Sequence, residues 1–168
     1  MTLVEMLLAE FDRETAVSRR LLERIPPDRT SWRPHAKSWT LGELSVHLAR
    51  LPTWVTATLR GTEFDMEPPD GPPLPRGVFE SASATLAAFD RHVAEARAAL
   101  TSTIDAELDV PWTLRKAGEV LFTMPRAAVL RTFAFNHSIH HRGQLSVYLR
   151  LCDVPLPPMY GPTADAEP

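Results

Sequence analysis

Residues 125–151 read PRAAVLRTFAFNHSIHHRGQLSVYLRL. Pro125 suits the first turn of a helix, because its missing amide would go unpaired there anyway. From it a helix can run to Leu151, a rod of roughly 40 Å at 1.5 Å per residue. His137 and His141 stand four apart on this rod, so they stack on one face about one turn from each other. At 100° per step, Leu130, Phe133 and Tyr148 fall within roughly 40° of His137, and Arg131, Arg142 and Arg150 fall on the far side. Both imidazoles therefore face the core. Burying two such rings without a partner is costly, and a metal ion would satisfy both.

Working outward, the next informative segment opens at Thr40. Thr40 and Glu43 form a capping-box pair at the start of a helix running to about Leu59. Leu41, Leu44, Leu48 and Leu51 make its buried stripe, and Pro52 kinks or restarts it. His47 lies three after Leu44 and four before Leu51, so it also turns inward. Three neutral imidazoles from two facing helices form a metal site with one or more positions left for water or substrate. An ion there lowers the pKa of bound water toward neutrality, or equally holds a thiolate.

Other groups compete for roles around this triad. His140 lies about 60° from His137 on the other side and pairs with it as an alternative to His141. With His141 preferred, His140 is read as a supporting donor, a cavity wall or a helix-packing residue. Gln144 continues the His137 stripe and is read as orienting a ligand or as a buried amide. Tyr148 is read as core. Glu14 sits amid the apolar stripe of the first helix. It is a candidate supporting carboxylate or general base, against a rim residue paired with an arginine. His35 and His92 are assigned to loop and surface. Cys152 is eleven residues beyond His141, about 16 Å along the axis, too far to share an ion. Phe135 and Ile139 fall on the far face of the rod, as a packing surface for the 105–124 segment or for a second copy of the chain.

Two more helices follow from periodicity. Leu3, Leu7, Phe11, Ser18, Leu21 and Leu22 mark one from about Thr2 to Arg24, ended by Pro26 and Pro27. Leu86, Phe89, Val93, Ala96 and Leu100 mark another from about Phe79 to Thr103. Residues 61–77 are rich in Pro and Gly and have no apolar period, which predicts a long loop between helices, a candidate cover for part of a site. Residues 105–124 alternate weakly around a Lys-Ala-Gly turn signal and are read as a short hairpin or an extended crossover. The tail, residues 153–168, is too proline-rich for helix and is expected as an extended strap. The sum is an all-α four-helix bundle, one domain over residues 1–168.

Composition narrows the function. The 168 residues carry a formal net charge of −3, so there is no basic footprint for a phosphate backbone and nucleic acid is excluded as a partner. A single cysteine rules out an internal disulfide framework and fits a reducing compartment. The N-terminus lacks a signal-peptide pattern, and no apolar run reaches the roughly 18 residues of a membrane span. A cytoplasmic protein with no membrane partner is expected.

Three runs carry a family resemblance: WRPHAKSWTLGELSVHL from Trp32 to Leu48, NHSIHHRGQL from Asn136 to Leu145, and VPLPPMYGPTAD from Val154 to Asp165. With the helix spacing, they make the chain resemble the DinB-like (YfiT-like) superfamily of metal-binding bundles. The resemblance implies an up-down-down-up helix order and a three-histidine site, its ligands falling on His47, His137 and His141. It further implies nickel or zinc as occupant, and frequent homodimers. Some relatives use low-molecular-weight thiols as transferases or isomerases, and others have been proposed as hydrolases. The expectation is a metal-dependent enzyme, a thiol S-transferase or hydrolase acting on a small electrophilic substrate. Against it stand a non-catalytic metal-binding stress or interaction protein and a plain bundle with structural histidines. The Pro-rich 61–77 segment departs from shorter members of the family.

Overall fold

Thr2 and Glu5 exchange hydrogen bonds in a capping box and start α1 (Leu3–Leu22). The capping pair read at Thr40 and Glu43 starts α2 (Leu41–Arg50) in the same way. Pro52 cannot donate an amide to a continuing helix, and the rod restarts as α3 (Thr53–Arg60). The third rod is α4 (Ala82–Thr101), capped by Ser81. The fourth begins after Pro125 as α5 (Arg126–Val129), passes through a π-helical stretch, Leu130–Asn136, and continues as α6 (His137–Leu151). This computed structural model describes residues 1–74 and 77–165; Pro75 and Arg76 of the 61–77 segment and residues 166–168 of the tail lie outside the described residues.

An all-α class is not what the chain adopts. A three-stranded mixed sheet of order β1-β2-β3 accompanies the helices. β1 (Glu63–Asp65) lies inside the segment read as loop, and β2 (Pro111–Lys116) and β3 (Glu119–Pro125) form a hairpin. β1 pairs parallel with β2, placing Phe64 beside Leu114. A parallel pair needs a long crossover, and α4 lies within that connection. Three residues with one apolar side chain carry no readable period, and their partner is some fifty residues away, so only the tertiary pairing reveals this strand.

The hairpin turn is Ala117-Gly118, with φ of 52° and 82°. Two positive φ angles suit the twist of the flanking strands. Asp65, at the end of β1, accepts both turn amides, Ala117 at 3.1 Å and Gly118 at 2.8 Å. Alanine is strained in the left-handed region and asparagine is tolerated there. Ala117→Asn is therefore expected to raise the unfolding free energy by about 1 kcal/mol, read from the denaturant midpoint.

The apolar faces meet in three clusters. One joins the C-terminal half of α1 to α2, α4 and α6 through Leu21, Leu44, Phe89 and Leu145. A second joins the N-terminal half of α1 to α3, α4 and the π-helical stretch through Leu7, Val55, Leu100 and Phe135. The third ties the sheet to the rods through Trp112, Leu114 and Val129, with Trp54, Phe64 and Phe133 against them. Trp112 is fully buried and donates its indole N–H to the Ala57 carbonyl at 3.3 Å. Phe135, expected to await the 105–124 segment or a second copy, is instead buried edge-to-face against Phe11 of α1, ring centroids 6.2 Å apart. Among the described residues, no helix is long and apolar enough to cross a membrane.

Candidate metal centre

α2 and α6 bring His47, His137 and His141 together, and their candidate ligand nitrogens all lie within 4.8 Å of one another. His47 Nε2 and His137 Nε2 stand 3.2 Å apart. Two nitrogens bound at about 2.05 Å to one tetrahedral ion would sit about 3.3 Å apart, so this pair already has the spacing of co-ligands. His141 is set by Gln144, whose Oε1 lies 2.7 Å from His141 Nδ1. An amide oxygen only accepts, so Nδ1 carries the proton and Nε2 keeps its lone pair. A fixed tautomer of this kind is how proteins orient histidine ligands. The donor set fits a divalent transition metal.

Electrostatics agree with the geometry. Burial holds His47 down to about 3, helped by the neighbouring His141 and His137 rings and by Arg50. Burial likewise holds His141 down to about 4, against the opposing effect of the hydrogen bond it donates to Gln144. His137 is lowered by burial, although its bond to the Phe133 backbone works the other way. All three rings are neutral near pH 7, with lone pairs available. Protons compete for these nitrogens only once the pH falls below the ordinary histidine range. Metal uptake at fixed free metal, measured by equilibrium dialysis, is therefore expected to hold through the ordinary histidine value, about 6.5, and to be lost as the pH falls toward about 4, where His141 protonates. A fall centred on the ordinary histidine value, about 6.5, would contradict the burial.

Around the triad the candidates sort differently. Gln144 is exposed and not a buried amide; its role is the bond to His141. His140 is exposed, its ring 4.9 Å from that of His141. Tyr148 is half-buried and donates to the Trp39 carbonyl at 3.3 Å, tying down the loop before α2. Glu14 does not join the histidines. Its carboxylate pairs with Arg142 and accepts from the Tyr160 hydroxyl at 2.7 Å. Arg142, read as lying on the far side of its helix, is itself buried there under α1 and the tail.

Two residues near the triad escaped the sequence reading. Trp39 stacks on His141 with centroids 5.4 Å apart and tilts over His47 at 4.7 Å. Its position just before the Thr40 cap was the available signal. His92, assigned to the surface, lines a cavity of about 340 Å³ that also touches His47. A larger cavity, about 530 Å³, shares His47, Arg50 and Leu74 with it and has Trp39, Glu43, Met66 and Lys116 in its walls.

Comparison with known proteins adds to this geometry. A family model described as the DinB superfamily matches residues 10–145. A DinB-like protein from Bacillus cereus superposes with a TM-score of 0.72 at 23% identity, covering 93% of this chain and 97% of that one. A DinB-like protein from Bacillus subtilis gives 0.70 at 21% identity, covering 94% and 99%. No protein of curated function matches the chain significantly.

Proposed function

This chain belongs to the DinB superfamily, and on that premise we propose that it is a metal-dependent enzyme. In this reading His47, His137 and His141 hold one divalent transition metal, nickel or zinc. The reaction directs water or a low-molecular-weight thiol at a small electrophilic substrate. The observation that carries it is the convergence of three neutral imidazoles, one of which, His47, lines a cavity of about 530 Å³, within the size range of small-molecule sites. When bound, such an ion supplies Lewis acidity that lowers the pKa of a water or thiol.

The chain's own residues orient and select. Gln144 fixes the proton on His141 Nδ1 and so aims Nε2 inward. Trp39 covers the His47 and His141 rings on one side. Glu43, Arg50 and Lys116 give the larger cavity charges of both signs, a lining suited to a zwitterionic cosubstrate. A storage or purely structural metal site has no need of two cavities touching one ligand, which disfavours the non-catalytic reading.

The test is turnover by metal-loaded protein. Cysteine or glutathione with chlorodinitrobenzene tests thiol transfer, and nitrophenyl acetate tests hydrolysis. A rate at least about a hundredfold above buffer is expected in one arm, lost on chelation and restored by metal. Turnover in neither arm would overturn the enzymatic reading.

A further inference from the structure

We propose that the smaller cavity beside His47 binds a planar aromatic or conjugated small molecule carrying one hydrogen-bond donor. Only the role of that molecule, as the electrophilic substrate, rests on the function proposed above; its binding stands on the cavity's own walls.

One side of those walls is apolar and braced. Leu51, Trp54, Ala57, Phe64 and Leu74 line a space of about 340 Å³. An apolar cavity of about 150 Å³ accepts one benzene ring, so this one has room for a two-ring system. Trp54 meets Phe64 edge-to-face, centroids 5.9 Å apart at 70°. Behind it, Trp54 leans on Trp112 at 6.3 Å and on Phe133 at 5.4 Å. An aromatic wall held by other rings has little side-chain entropy left to lose when a flat guest stacks on it.

The polar side chains of the wall are His47, Arg50, Thr53 and His92, and His92 is the one whose acceptor can be assigned. Its Nδ1 lies 2.9 Å from the Ala49 carbonyl. A carbonyl only accepts, so Nδ1 carries the proton and Nε2 is the ring's acceptor in the neutral form. Among the described residues nothing hydrogen-bonds Nε2. Thr53, also in the wall, already donates its hydroxyl to the Arg50 carbonyl at 2.8 Å. The His92 ring thus offers an acceptor, which an O–H or N–H on the guest would match. The larger cavity is the more charged, adding Glu43, Glu67 and Lys116 to the Arg50 that both share. Both cavities include His47, so a polar and an apolar molecule would meet at the same ligand ring, the layout a two-substrate transfer requires.

Calorimetric titration of the full chain with naphthol and with methoxynaphthalene, which lacks the donor, tests this. Naphthol is expected to bind about fivefold tighter, the worth of one net hydrogen bond. His92→Ala should erase that preference and leave methoxynaphthalene unchanged. Ala57→Phe fills the cavity and should weaken both ligands at least about tenfold. Leu74→Phe closes the same space from a half-exposed position, should the first filling variant fail to fold. Unchanged naphthol binding in a folded filling variant, or equal binding of cyclohexanol, would overturn the proposal. Titrating metal-free and metal-loaded protein separates the two claims. Naphthol binding without metal uptake would sink the proposed function alone, and metal uptake without naphthol binding would sink this site alone.

Discussion

Changing His47 to alanine is expected to cut co-purifying nickel or zinc from roughly one ion per chain to below about a tenth, by elemental analysis. The variant removes the only candidate ligand on α2, leaving His137 and His141 on the other rod. Losing a direct ligand costs more than the roughly 10–100-fold in affinity lost when a hydrogen-bonding partner of a ligand is removed. Alanine suits a helix interior, so circular dichroism should not change, and loss of metal cannot be put down to unfolding. His140→Ala is the matching control: its exposed ring only adjoins His141, so metal content should hold. Stoichiometric metal in the His47 variant would disprove the assigned ligand set.

Glu14→Ala is expected to destabilise the fold by about 3–5 kcal/mol, because it strands a buried charge. For a chain of this size that corresponds to a fall of roughly 6–20 °C in Tm. The Arg142 side chain is only 1% exposed. Its guanidinium donates to the Glu14 carboxylate, to the Glu14 carbonyl at 2.9 Å and to the Tyr160 hydroxyl. The Tyr160 hydroxyl in turn donates to Glu14, which locks the tail over α1 and α6. Tyr160→Phe keeps the ion pair and should cost only about 1 kcal/mol. A loss below about 1 kcal/mol in Glu14→Ala, by thermal or denaturant unfolding, would mean that water reaches Arg142 and that the pair is no anchor.

The helices were legible where a local signal existed. The Thr40-Glu43 capping box, the break at Pro52 and the stripe of α4 are each written within a few residues, and each governs bonds made within one or two turns. The inward direction of His47 and of the His137/His141 pair followed from the same period. Phe135 marks the limit of that method. It sits in the π-helical stretch, where hydrogen bonds skip an extra residue and the 100° step no longer applies, so a face assigned as open is covered by α1.

Sequence by itself determined the rods, their ends and the imidazole pair, because backbone hydrogen bonding and side-chain period act over a few residues. Tertiary structure alone decided what those rods enclose. β1 exists only through pairing with a strand far along the chain. Arg142 is buried only because α1 and the tail close over it, and His92 faces a cavity because α4 lies against α2 and α3. Contacts between distant segments leave no periodic trace, since each half of such a contact is a single ordinary residue until the fold supplies the other.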